Sequence, residues 1–77
     1  MNNNEAVKWL RRASEQGVAD AQNLLGDCFY YGCGVETNHW EAVKWYEKAA
    51  KQGHAEAQCS LGYCHEYGKG VTRDLAK

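Results

Sequence analysis

Proline and isoleucine are missing from the 77 residues, and there is only one methionine and one phenylalanine. Without proline no helix is interrupted from within, so punctuation falls to the eight glycines. No apolar run approaches the roughly 20 residues of a membrane span. The opening Met1-Asn2-Asn3-Asn4-Glu5 has neither the basic nor the apolar region of a secretory signal. A net charge of -1 excludes the general basic surface of a nucleic-acid backbone binder. Leu, Val and Phe together number only 11, a poverty that by itself leans towards disorder. Ten Ala, five Tyr and three Trp weigh against that reading, and so does the near absence of net charge. Small residues with large rings suit helices that approach closely while rings fill the gaps. A chain of this length is one domain at most, 1–77, and buries roughly 60 % of its unfolded surface.

What is present is a repeat. Glu5-Ala6-Val7-Lys8-Trp9 returns as Glu41-Ala42-Val43-Lys44-Trp45, and Leu25-Gly26 as Leu61-Gly62. Aligning 5–40 with 41–76 gives 18 identities in 36 positions. Such a period signals stacked supersecondary units that bury a shared core. In the first unit Ala6, Trp9, Leu10 and Ala13 fall on one helical face, while Lys8, Arg11 and Arg12 form a short basic, solvated face. Gly17 sits where a helix ends in the left-handed conformation. A second helix runs from Ala19 to Tyr31, with Ala21, Leu25 and Cys28 on its apolar face, and Gly32 and Gly34 break it. Asn38 and Glu41 stand as in a capping box, and so do Asn2 and Glu5. His54 is placed to cap the fourth helix. The pattern predicts helices over about 4–16, 19–31, 38–52 and 55–67, and a helix start at 74–77. Trp9, Trp45, Phe29 and Tyr46 are expected to wedge between layers.

Ala55-Glu56-Ala57-Gln58, Leu61-Gly62, Gly68-Lys69-Gly70-Val71 and Asp74 together resemble the Sel1-like repeat. So does the run from Ala42 through Trp45-Tyr46, Lys48-Ala49-Ala50 and Gln52-Gly53. That family is a branch of the tetratricopeptide-like α-solenoids, and the resemblance covers 4–77. Three departures stand out: Phe29 and His65 where a Tyr is usual, Asn38 where an Asp is usual, and an end at Lys77 just before the next helix's expected Ala. The beginning falls at the second helix of a repeat, so the expectation is a segment of a longer array or a very short reading frame.

The resemblance implies an all-α, right-handed α-α superhelix of about two 36-residue repeats, acting as a non-catalytic adaptor or scaffold. It also implies that the first helix of each repeat, 19–31 and 55–67, lines the concave surface. Positions that differ between the copies then become the candidate partner-binding residues. These are Asn23, Asp27 and Tyr30 in one stripe and Cys59, Tyr63 and Glu66 in the other, spaced i, i+4, i+7. Tyrosines with a few acids suit a peptide or protein partner, with basic side chains meeting Asp27 and Glu66. The alternative is self-assembly into a homo-oligomer through uncapped solenoid ends.

Other chemistry finds little support. A cysteine-rich branch of the family pairs Cys across inter-helix turns, but Ala49, Ala50 and Ala57 stand at the corresponding positions. The β-lactam-related role associated with those relatives is therefore not expected. Cys28 and Cys64 are expected as buried free thiols, and Cys33 as an exposed one. Four apparently unpaired Cys favour a reducing, cytoplasmic setting. His54, Cys59, Cys64 and His65 lack zinc spacing. No metalloprotease, nucleophile-elbow or phosphate-loop motif occurs, and Ser14 and Ser60 have no evident base. The expectation is no enzyme, no cofactor, no metal, no nucleic acid and no membrane.

Overall fold

The computed structural model describes residues 3–69 and contains four helices of 13 residues each: α1 (Asn3–Glu15), α2 (Ala19–Tyr31), α3 (His39–Lys51) and α4 (Ala55–Tyr67). Among the described residues there is no strand, and no helix is long and apolar enough to cross a membrane. Each helix packs on the next in chain order, with the α2–α3 joint the most extensive. This is an all-α solenoid. The expected helix start at 74–77 and the Asn2 cap lie outside the described residues.

The turns follow from glycine chemistry. Gly32 takes φ +74°, which costs a side-chain-bearing residue a steric penalty. Its N–H and that of Cys33 both donate to the Cys28 carbonyl, at 2.8 and 2.9 Å. Gly68 repeats this at φ +67°, donating to Cys64. The cap of α3 is half of the expected box. Glu41 N–H donates to Asn38 Oδ1 at 3.1 Å, but the Asn38 N–H donates to the Phe29 carbonyl at 2.8 Å instead. That bond closes the α2–α3 loop, and the Glu41 carboxylate turns to Lys44 at 3.8 Å.

The core is built from Leu25 and Phe29 of α2, Ala42, Val43, Trp45 and Tyr46 of α3, Val7 of α1 and Cys64 of α4. Its closest approach is at Gly26. A Cβ there would lie 2.7 Å from Tyr46 Cε1 and 3.2 Å from the Ala42 carbonyl oxygen. Trp45, Phe29 and Tyr46 do wedge between helices, but Trp9 does not. It is 62 % exposed, against 5 % for its counterpart Trp45. The inward residues of α1 are Val7 and Ser14, with Leu10 partly buried. The reason is positional: α3 lies between α2 and α4, whereas α1 packs against α2 on one side. Cys64 is buried, as expected, but Cys28 is only half-buried.

Two side-chain ties repeat the period. Gln22 Nε2 donates to the Ser14 carbonyl at 3.0 Å, and Gln58 Nε2 to the Ala50 carbonyl at 3.2 Å. Gln22 Oε1 also accepts from Gln52 Nε2 at 2.9 Å, joining α2 to the end of α3.

Candidate functional site

The side chains of α2 and α4 meet through tyrosine. The Tyr30 and Tyr63 rings lie edge to face with centroids 6.3 Å apart. Tyr31 flanks Tyr30 at 4.8 Å, His39 at 4.7 Å, and Tyr67 flanks Tyr63 at 4.5 Å. Such edge and tilted arrangements set the positive ring edge against a neighbouring π face. Between them opens a cleft of about 260 Å³, walled by Tyr30 and Tyr31 of α2, Tyr46 of α3, and Cys59, Ser60, Tyr63 and Cys64 of α4. Tyr63 is 52 % exposed, so the wall is open to an approaching chain.

At the back of the cleft the Tyr46 hydroxyl donates to Asp27 Oδ1 at 2.5 Å. Burial, reinforced by that carboxylate, pushes the Tyr46 phenol well above the usual tyrosine range. Burial also raises Tyr30, with Tyr63 adding to the effect. The Asp27 carboxylate thus lies against the Tyr46 hydroxyl at that end of the cleft.

The six expected contact residues divide. Tyr30, Cys59 and Tyr63 line the cleft, and Asp27 adjoins it through Tyr46. Glu66 is exposed on α4 outside the lining. Asn23 is 7 % exposed, and its Oδ1 has no hydrogen-bond partner among the described residues. It is thus a buried acceptor rather than part of an open stripe. The sequence reading did not place Tyr31, Tyr46, Tyr67 and Ser60 at the site. The return of Tyr31 as Tyr67 was a usable signal; the Tyr46 hydroxyl's reach to Asp27 was not, because it depends on the α2–α3 crossing. Among the described residues no three His, Cys, Asp or Glu side chains are grouped so as to hold a metal. The basic face of α1 is partly engaged, with Arg11 over the Phe29 ring at 5.7 Å and Arg12 over Trp9 at 5.6 Å.

Paired helices that repeat every 36 residues and stack through small residues define a helical-repeat protein. The Sel1 repeat family model matches residues 2–18, 19–54 and 55–77, and the chain belongs to that family. Among solved structures it is similar to a Sel1 repeat protein from Oxalobacter formigenes, at 44 % identity and TM-score 0.91, over 95 % of this chain and 30 % of that one. It is also similar to a protective antigen present in uropathogenic Escherichia coli strains that displays an SLR fold. There the identity is 42 % and the TM-score 0.90, over 92 % of this chain and 15 % of the other. Cysteine rich protein B of Helicobacter pylori matches at 27 % identity and TM-score 0.89, over 96 % and 56 %. The chain thus spans from about a seventh to somewhat over half the length of these relatives. No curated protein matches it. Sel1 repeat proteins are generally protein-interaction modules and generally non-catalytic scaffolds.

Proposed function

We propose that the chain is a non-catalytic binding module that takes a peptide segment of a protein partner along the side of α2 and α4 bearing Tyr30 and Tyr63. The observation that carries this reading is the open tyrosine-walled cleft spanning both helices. Rigid rings supply contact area at low entropic cost, and their hydroxyls supply hydrogen bonds. Asp27 and the exposed Glu66 give the surface an acidic character suited to lysine or arginine in the peptide. Asn23, whose amide oxygen is buried away from the cleft lining, is not among the proposed contacts. Cys59 completes the wall on α4.

The test is an array of peptides of graded charge probed with the chain, followed by calorimetric titration of the tightest binder. Asp27→Ala combined with Tyr63→Ala is expected to weaken binding about 10- to 100-fold, as for central contact residues. A Glu66→Gln variant, which leaves the Asp27–Tyr46 bond in place, is expected to weaken basic peptides alone. Unchanged affinity in the double variant would sink the proposal.

A further inference from the structure

α2 ends in a turn that folds the chain back on itself, and a cysteine stands on each side of that turn. The Cys33 N–H donates to the Cys28 carbonyl at 2.9 Å, and Gly32, left-handed between them, donates to the same oxygen at 2.8 Å. The first of these bonds is that of a Schellman helix end, where the side chains of the two bonded residues commonly pack together. Here both side chains are thiols, Cys28 half-buried and Cys33 exposed. From this juxtaposition we infer that Cys28 and Cys33 form a reversible redox site, which a low-molecular-weight disulfide of the glutathione type oxidises to an intrachain bridge.

The backbone permits the bridge. Covalent bond lengths keep the Cα atoms of two residues joined by such an N–H···O bond within about 6.8 Å of each other, and disulfides span Cα atoms roughly 4.4–6.8 Å apart. The same spacing without the turn does not serve. Cys59 and Cys64 are also five apart but lie within α4, where five residues rise about 7.5 Å and turn the side chains about 140° from one another.

The electrostatics agree with the geometry. Burial pushes the Cys28 thiol up, and Cys33 and then Asp27 push it further, as groups at short range do. Cys64, the counterpart of Cys28, is raised by burial alone. Its helix end has the same bond, from the Lys69 N–H to the Cys64 carbonyl at 2.9 Å, but Lys69 stands where Cys33 would be. Of these two caps, only that of α2 carries the pair.

The chemistry runs in two exchanges. Cys33 is exposed, so the oxidant reaches it first. Its thiolate attacks one sulfur of the small disulfide; that S–S bond breaks, a mixed disulfide forms on Cys33, and one small thiolate leaves and takes up a proton. The Cys28 thiol then gives up its proton and attacks the Cys33 sulfur, releasing the second small thiol. In all, two protein thiols lose two electrons and the oxidant becomes two thiols. The bridge closes a ring over 28–33 that holds Tyr30 and Tyr31 of the cleft wall, so oxidation ties down the end of α2 that carries them. The site itself is independent of the peptide-binding reading.

The experiment exposes the reduced, full 77-residue chain to mixtures of oxidised and reduced glutathione, quenches with acid, alkylates the free thiols and maps the cysteines by mass spectrometry. The expected product has lost two hydrogens and carries a bridge from Cys28 to Cys33. Its rate of formation is expected to stay level over about a hundredfold range of chain concentration, because the second thiol is already at hand. Excess reduced glutathione is expected to restore both thiols. Cys33→Ser, at an exposed position, is expected to abolish the bridge, and Cys28→Ser to trap the glutathione adduct on Cys33. The inference is overturned by an adduct that persists on Cys33 beside a free Cys28, or by both thiols staying reduced under oxidised glutathione alone. A bridge from either cysteine to Cys59, Cys64 or a second chain overturns it too, as does a two-hydrogen loss that survives Cys33→Ser.

Discussion

At the scale of single residues, the polar groups that matter are those made to serve two neighbours. Tyr46 is a core ring and a hydrogen-bond donor at once, 2 % exposed yet bonded to Asp27. Its phenol, the Tyr30 phenol and the Cys28 and Cys64 thiols are all raised by burial first. The sign of the consequence is fixed. In the unfolded chain these groups lose their protons at ordinary values, about 8.5 for thiols and about 10 for phenols. In the folded chain they keep them, so the native state binds more protons over that range and stability falls as pH rises. Denaturant midpoints are therefore expected to be level near neutrality and to decline above about pH 9. Tyr46→Phe is expected to flatten the upper part of that decline. A midpoint unchanged through the phenol range would contradict the burial argument. His54 also serves two neighbours. Its Nδ1 accepts the Ala57 N–H at 3.2 Å, which leaves the proton on Nε2 to donate to Asp20.

At the scale of elements, close approach decides which helices join firmly. Gly26 admits the Tyr46 ring and the Ala42 backbone into the space a side chain would occupy. The added methyl of Gly26→Ala meets a buried ring and a backbone oxygen, neither of which can swing aside. It is expected to destabilise the chain by about 1–3 kcal/mol. The same change at Gly62 meets nothing, so only the helix preference of alanine remains, worth about 0.5–1 kcal/mol in the stabilising direction. Thermal melts of the two variants, taken at a concentration where the chain is a single copy, check the contrast. Equal shifts would show that helix preference, not the α2–α3 crossing, governs both sites. The repeat made these glycines equivalent in the sequence, and their opposite expected behaviour arises only from what stands across from them.

At the scale of the whole molecule, a solenoid's stability is close to a sum of unit and neighbour terms. Among the described residues α2 and α3 each pack extensively on two helices, while α1 and α4 each pack extensively on one. Hydrogen exchange in dilute solution is thus expected to be slowest for amides of α2 and α3 and faster in α1 and α4. Uniform protection across the four helices would mean the chain opens only as one unit. The all-α repeat class was legible in residues alone, because Ala, Leu and Gly return every 36 positions and glycine marks the turns. Local chemistry needs no partner: helix periodicity, the Asn38 cap and the left-handed glycines are properties of short stretches, and the sequence determined them by itself. The exposure of Trp9, the burial of Asn23, the Tyr46–Asp27 bond and the tyrosine cleft were decided only by the tertiary structure. Each depends on which helix lies across from a residue, and identical repeats place identical side chains in unlike surroundings once one of them has a neighbour and the other does not.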